Sequence, residues 1–179
     1  MSIHQMFANV ARKRATSGVS AKSVVFDIAN NWDVADADIG IRRIEFKFQT
    51  VLLTPTYTAN GNYRLSAAYD YAHAFNTTLS KTGDGENKAW KSGNYNTNCR
   101  IFIVFDAVQT FDEIVINNYH DSGAETHKGG KQVKITRTLS TETNTAYGAT
   151  VTGGVVLNNT QWPQHAAADA ADDQTVWSA

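Results

Sequence analysis

The chain has 179 residues, of which 42% are hydrophobic and 11% aromatic, so it can bury the core of one ordinary domain without metals or disulfides. Its 16 Lys and Arg are balanced by 17 Asp and Glu, and a formal net charge of -1 argues against a general electrostatic attraction to nucleic acid. Cys99 is the only cysteine, which excludes an intrachain disulfide and predicts an inert thiol in the core or at a strand edge.

The first residues predict a short helix on an arm. Four apolar side chains recur at the spacing of one helical face, namely Ile3, Met6, Phe7 and Val10. We therefore divide the chain into an N-terminal arm, residues 1–30, and a domain, residues 31–179. A lone helix of this length gains its stability by burying its apolar face, either on its own domain or on a neighbouring subunit.

Residues 1–15 include a basic triplet but no apolar run and no small-residue cleavage site, so we expect no signal peptide and a protein that stays in the cytoplasm where it is made. The longest apolar runs are about five or six residues, whereas about 20 apolar residues are needed to cross a bilayer. We therefore expect no membrane insertion.

From Ile39 onward the apolar period changes to two, which predicts strands. The apolar face switches parity across Arg42-Arg43, which indicates a β-bulge. The turn Asn60-Gly61-Asn62 predicts a hairpin between Tyr57 and the run from Tyr63 to Tyr71. Further strands are predicted at Ile101 to Phe105, Glu113 to Asn117, Gln132 to Thr138, Val155 to Leu157 and Thr175 to Trp177. Many short strands of this kind indicate an all-β sandwich or barrel.

The middle of the chain carries a series of motifs in a characteristic order. They are Gly83-Asp84-Gly85, Ala89-Trp90-Lys91-Ser92, Ile101 to Phe105, Phe111 to Ile116, Asn118 to Gly123, Gly129-Gly130 and Lys131 to Ile135. In this order and spacing the segment from Tyr69 to Thr138 resembles the discoidin, or coagulation factor 5/8 type C, domain. The resemblance implies a galactose-binding-like jelly roll. Trp90 is large enough to plug one end of such a sandwich, with a partner for its indole N–H, or it could serve as a platform for sugar stacking.

One loop of this segment gathers polar and aromatic side chains that could bind a glycan. They are Asn118, Tyr119, His120, Asp121, His127 and Lys128. An aromatic face and several hydrogen-bonding groups are what non-catalytic sugar sites use. The alternative is a loop stabilised by its own side chain to backbone hydrogen bonds, with Tyr119 packed inward.

A second polar group, Asp33, Asp36 and Asp38, offers oxygen ligands of the kind that Ca²⁺ takes in irregular loops. It lacks the glycine and bidentate glutamate of an EF-hand, and a solvated acidic turn is the alternative. His120, His127 and Asp121 lack the spacing of a zinc site. Calcium is therefore the one cofactor that we consider, and we otherwise expect none.

The chain has no GxSxG, HExxH, GxxxxGK[ST] or dinucleotide motif, so we expect a binding or assembly module and not an enzyme. A discoidin-like domain without a signal peptide reaches an extracellular ligand if it is built into a particle. Bacteriophage tails, baseplates and capsid decorations use such jelly rolls, and a charged fraction of 18% suits a virion surface. We expect contacts with virion proteins or with itself through residues 1–20. The alternatives are a stand-alone lectin-like protein and an accessory domain of a carbohydrate-active enzyme.

Overall fold

The computed structural model describes residues 17–33, 35–36 and 38–179, and these form ten β-strands. The strands are β1 (Val19–Asn31), β2 (Gly40–Phe48), β3 (Val51–Leu52), β4 (Tyr57–Gly61), β5 (Trp90–Lys91), β6 (Thr97–Phe111), β7 (Glu113–Asn118), β8 (Gly130–Thr138), β9 (Val155–Gln161) and β10 (Asp173–Ser178). Short 3₁₀-helical turns occupy Ala67–Tyr69, Tyr71–Phe75 and Thr126–Lys128.

The strands form two antiparallel five-stranded sheets that pack as a sandwich. The first sheet has the order β4-β6-β1-β8-β9. The second has the order β10-β7-β2-β3, with β5 paired to the start of β2. The prediction of a mostly β sandwich is therefore confirmed, and the strands predicted at Ile101, Glu113, Gln132, Val155 and Thr175 all form.

The core lies between the two sheets and follows the alternation of each strand. From the first sheet it takes Val24, Phe26, Ile28, Ile101, Ile103, Phe105, Val133 and Ile135, and from the second Ile41, Ile44, Phe46, Ile114 and Ile116. Because neighbouring residues of a strand point to opposite faces, this parity fixes the register of each sheet.

Strand β1 lies at the centre of the first sheet, between β6 and β8. Its other face is covered by the loop from Leu139 to Gly154. Beneath this loop Asp27 forms a two-point ion pair with Arg100, whose Nε donates to Oδ1 at 2.7 Å and whose Nη2 donates to Oδ2 at 2.9 Å. Arg100 also donates to the carbonyl oxygen of Ala149 at 2.7 Å. Both charges are thus bonded on a face that the loop seals from water.

The predicted bulge in β2 is confirmed. Ile41 pairs with Asn118 and Arg43 with Asn117, so the register shifts across Arg42. The shift lets both Ile41 and Ile44 enter the core, with exposed fractions of 0% and 1%. Two residues three apart cannot face the same way in a regular strand, and the bulge resolves that conflict.

The predicted hairpin at Asn60-Gly61-Asn62 is wrong. Strand β4 ends at Gly61 and pairs with β6, far along the chain, instead of with the residues that follow it. A side chain at Gly61 would collide with the carbonyl oxygen of Arg100, since its Cβ would lie 2.3 Å away. The glycine is therefore needed for close contact between strands and not for a tight turn.

The predicted N-terminal helix lies outside the described residues. Of the described 3₁₀-helical turns, Ala67–Tyr69 and Tyr71–Phe75 lie between β4 and β5, and Thr126–Lys128 lies between β7 and β8. Strand β1 starts at Val19, so the sandwich begins earlier than residue 31, where the sequence analysis placed the start of the domain.

Trp90 is fully buried, as predicted for a structural plug, and its indole Nε1 donates to the carbonyl oxygen of Tyr63 at 2.9 Å. We expect Trp90→Ala to lower the free energy of unfolding by about 3–5 kcal/mol, the range for deleting a large core aromatic. Chemical denaturation measures this, and Trp90→Phe, which keeps a ring but loses the N–H, should cost less. Equal stability of Trp90→Ala and the parent protein would contradict the structural role.

Candidate functional site

The loop between β7 and β8 was the predicted glycan site, and its first three residues are buried. Asn118, Tyr119 and His120 have exposed fractions of 1%, 0% and 0%. Asp121 is half-buried, and its backbone N–H donates to the carbonyl oxygen of Ala124 at 2.9 Å to close a turn. Lys128, at the other end of the loop, is 9% exposed, so four of the six predicted residues are buried.

Asn118 holds three chain segments together at the end of β7. Its Nδ2 donates to the carbonyl oxygens of Gly130 and Pro163, each at 2.8 Å, and its Oδ1 accepts from the backbone N–H of Tyr119 at 3.0 Å. A side chain on Gly129 would collide with it, since a Cβ there would lie 2.7 Å from the Asn118 amide. The glycine at position 129 thus gives Asn118 room to make these bonds.

Tyr119 packs against two glycines of neighbouring segments. A Cβ on Gly40 would lie 2.4 Å from its ring, and a Cβ on Gly85 would lie 2.8 Å from its hydroxyl oxygen. The ammonium of Lys91 lies 5.6 Å from the ring centroid, within cation–π range. Burial raises the pKa of the Tyr119 hydroxyl above its ordinary value. The ring is an internal packing element.

His120 is held as a neutral imidazole. Its Nδ1 accepts from the backbone N–H of Gly123 at 3.1 Å, so Nε2 carries the hydrogen and donates to the carbonyl oxygen of Lys81 at 2.7 Å. Its ring stacks on that of His165, with centroids 4.0 Å apart. Burial is the main reason that the pKa of His120 is lowered, because the charged form would lose its hydration.

The end of this loop nearest β8 carries ion pairs between buried and half-buried side chains. His127 Nε2 lies 2.7 Å from Asp36 Oδ2, and Lys128 Nζ lies 2.8 Å from Glu125 Oε1. Burial alone would raise the pKa of Asp36, but the hydrogen bond with His127 and the charge of Lys128 outweigh it, and the net shift is downward. These four side chains therefore pair with one another inside the domain.

The three acidic side chains of the proposed calcium group do not converge. Asp33 Oδ1 accepts from the backbone N–H of Ala35 at 3.0 Å, and Asp36 faces His127. Asp38 accepts from the backbone N–H of Asn94 at 2.8 Å and pairs with Lys91 at 3.1 Å. Among the described residues no group of three or more His, Cys, Asp or Glu side chains could hold a metal ion.

Arg42 is a buried cation that the sequence analysis did not identify as a site residue. Its guanidinium donates to the carbonyl oxygens of Thr82, Gly83 and Asp84, at 2.5, 2.9 and 2.7 Å. Burial lowers the pKa of the guanidinium. The change of apolar face in the sequence predicts a bulge, but it does not show where the extra side chain points. Only the structure shows that Arg42 bonds to the backbone of the loop that contains Gly83-Asp84-Gly85.

A cleft of about 210 Å³ opens at one lateral edge of the sandwich. Its walls come from both sheets and its rim from two loops, through Ile44, Phe46, Leu53, Thr54, Pro55, Tyr57, Phe75, Asn76, Thr77, Thr78, Ile103 and Phe105. The walls are apolar and the rim carries hydroxyl and amide groups. Such a surface suits an apolar side chain better than a charged ligand.

An aromatic pair lies on the surface above Trp90. The rings of Tyr63 and Tyr95 stack with centroids 3.6 Å apart and planes 7° apart. Tyr63 packs on the core, and Tyr95 lies over it with 46% of its surface exposed. Cys99, beneath the same loop, is fully buried, and burial raises its pKa to about 12, as expected for an inert thiol.

Comparison of the chain with protein-family models, with curated proteins and with solved structures gave no match. In the part of the chain that the structure describes, no helix is both long and apolar enough to span a membrane.

We expect Asn118→Ala to lower the free energy of unfolding by at least about 2 kcal/mol, because each buried backbone group left without a partner costs about 1–3 kcal/mol. The matched control is His127→Ala, which removes a partly exposed ion pair and should cost less than about 1 kcal/mol. Urea denaturation of both variants measures the difference. If Asn118→Ala is as stable as the parent protein, Asn118 does not stabilise the fold, and its side chain is available to bind a ligand.

We expect the free energy of unfolding to fall as the pH drops below about 6.5, the ordinary pKa of histidine. The unfolded chain takes up a proton at His120 there while the folded chain, whose pKa is lower, resists it, so stability is lost between the unfolded and the folded pKa. His120→Gln should show a shallower loss between about pH 7 and pH 5 than the parent protein. Denaturation curves across this range test it, and identical slopes would be inconsistent with a buried neutral His120.

Proposed function

We propose that this chain is a non-catalytic binding or assembly module built into a particle, such as the tail, baseplate or capsid decoration of a bacteriophage virion. Its scaffold is a discoidin-like jelly roll, and glycan binding during host attachment is its second role. The observation that carries the proposal is an apolar edge on the sandwich beside the point where residues 1–16 join it.

The described chain enters the sandwich next to Phe48. A side chain at Gly18 would collide with that ring, since its Cβ would lie 2.8 Å from Phe48 Cε2. Phe48 pairs with Val51 of β3, a two-residue strand at the edge of the second sheet. Val51 and Leu52 have exposed fractions of 64% and 37%. An apolar edge strand is a surface on which another chain can pack.

The lateral cleft continues this surface into the sandwich. Phe46, one of its walls, packs on Phe111 with ring centroids 5.0 Å apart, and the Phe111 carbonyl oxygen lies beside Gly18. Leu53 lines the cleft and follows β3 directly. The exposed edge strand β3 and the cleft therefore adjoin through Leu53, and the edge strand lies beside Phe48, which Gly18 contacts.

Residues 1–16 supply a partner of matching chemistry. Their sequence places Ile3, Met6, Phe7 and Val10 on one predicted helical face. Two copies of the chain could exchange these segments, each covering the apolar edge of the other, which is the reciprocal contact of a two-fold dimer. A particle protein with the same kind of edge would be contacted in the same way.

The polar chemistry of the described loops also supports binding over catalysis. His120 and Asn118 use their hydrogen-bonding atoms on the backbone of their own domain, and a general base needs to be within reach of a substrate proton. His120 and Asn118 therefore stabilise the loops, and contacts with other molecules would be made by the exposed surfaces of the sandwich.

The experiment is removal of residues 2–16, which keeps β1 intact. The domain's melting temperature should stay nearly unchanged, while the mass in solution or the incorporation into particles should fall, because only the contact between chains is lost. Light scattering and co-sedimentation measure assembly, and calorimetry measures stability.

The matched control replaces the polar residues Gln5 and Asn9 by Ser and should assemble normally, whereas replacing Met6 and Phe7 by Ser should not. If the truncated protein is less stable but has the same oligomeric state as the parent chain, the segment packs on its own domain. That outcome would overturn the assembly role.

A further inference from the structure

The surface above Trp90 is a candidate site for a neutral sugar. We infer that the outer face of Tyr95 is a stacking platform for a pyranose ring of a neutral oligosaccharide. The inference deepens the glycan-binding part of the proposed function and rests on it, but it is independent of the assembly role of residues 1–16.

The first argument is the layered arrangement of the aromatic rings. Trp90 is fully buried and donates its indole N–H to the carbonyl oxygen of Tyr63, which fixes that residue on the core. Tyr95 stacks on Tyr63 at 3.6 Å, so one of its faces is covered. Because 46% of Tyr95 is nevertheless exposed, its other face is open to solvent. An open aromatic face is what the C–H groups of a pyranose pack against.

The second argument is the rigidity of the loop that presents Tyr95. The carbonyl oxygen of Tyr95 accepts from Ser92 Oγ at 2.6 Å, and Ser92 Oγ in turn accepts from the backbone N–H of Ile39 at 2.9 Å. The residue before Tyr95, Asn94, donates its backbone N–H to Asp38 Oδ1 at 2.8 Å. These hydrogen bonds fix the backbone on which Tyr95 stands, and its ring is held by stacking on Tyr63.

The backbone of this loop supports the same conclusion. Gly93 and Asn94 have φ angles of 62° and 58°, and Asn98, at the start of β6, has 57°, all in the left-handed region. A side chain at Gly93 would collide with Leu65, since its Cβ would lie 2.7 Å from Leu65 Cα. Non-glycine residues in this conformation persist where the surrounding structure dictates them, often at ligand sites. A preformed platform also lowers the ordering cost of binding.

The third argument is the chemistry around the platform. The exposed residues on either side of Tyr63 and Tyr95 in the chain include the amides and hydroxyls of Ser66, Asn94, Thr97 and Asn98, together with Leu65, which is 44% exposed and lies against Gly93. The nearest cation in sequence to Tyr63, Arg64, is paired with Asp70 and lies over the Tyr71 ring at 5.8 Å. A neutral ligand with many hydroxyl groups matches this surface better than an anionic one.

The test is binding of the full chain to an array of immobilised neutral and acidic oligosaccharides, followed by calorimetry with the best neutral binder. Tyr95→Ala should weaken binding at least about tenfold, because it removes the stacked face. Tyr95→Phe should bind nearly as the parent does, since stacking does not need the hydroxyl. The matched control is Tyr147→Ala, another partly exposed tyrosine on a different loop, 37% exposed, which should leave binding unchanged.

Two results would overturn the inference. One is that no neutral oligosaccharide binds, or that only acidic ones do. The other is that Tyr95→Ala, folded by circular dichroism and melting temperature, binds as tightly as the parent. Tyr95→Ala should also assemble normally in light scattering. Normal assembly without glycan binding would reject this inference alone, whereas glycan binding that depends on Tyr95, together with assembly that is unchanged by removal of residues 2–16, would reject the assembly role alone.

Discussion

The bulge at Ile41–Arg43 is the constraint on which the rest of this structure depends. It turns Ile41 and Ile44 toward the same core. It also leaves Arg42 and Arg43 buried on the same strand, with exposed fractions of 0% and 1%. A buried cation must be bonded, and Arg42 gathers the carbonyl oxygens of Thr82 to Asp84 around its guanidinium. One extra residue in a strand thus positions a loop about forty residues further along the chain.

That loop meets the second polar loop of the sandwich at the same end. The backbone N–H of Ser122 donates to the carbonyl oxygen of Gly83, and His120 donates to that of Lys81. The polar side chains at this end therefore satisfy backbone groups that no strand pairs with. This explains why residues typical of a binding loop are buried here, since loops that cross the end of a sandwich must find partners for their own backbone.

The surfaces available for contacts lie elsewhere on the sandwich. One is the apolar edge at β3 with its cleft, beside the start of the described chain. The other is the Tyr63–Tyr95 pair, in which Tyr63 packs on the core and accepts a hydrogen bond from the buried Trp90. They differ in chemistry, because the first can accept apolar side chains of a protein, whereas the second offers an aromatic face among amides and hydroxyls. The proposed assembly contact and the proposed glycan contact would therefore use different residues of one domain.

The sequence by itself determined the strands with clear alternation, the bulge, the buried Trp90 and the inert Cys99, because each is a local consequence of side-chain period, size or count. It missed the central strand β1, and it placed a hairpin at Gly61, where the glycine serves a contact with a distant strand. Burial of Asn118, Tyr119 and His120, dispersal of Asp33, Asp36 and Asp38, and stacking of Tyr63 on Tyr95 were decided only by tertiary structure. Each depends on residues that are distant in sequence, such as Gly40, Pro163 and His165, and no local pattern records which of them will meet.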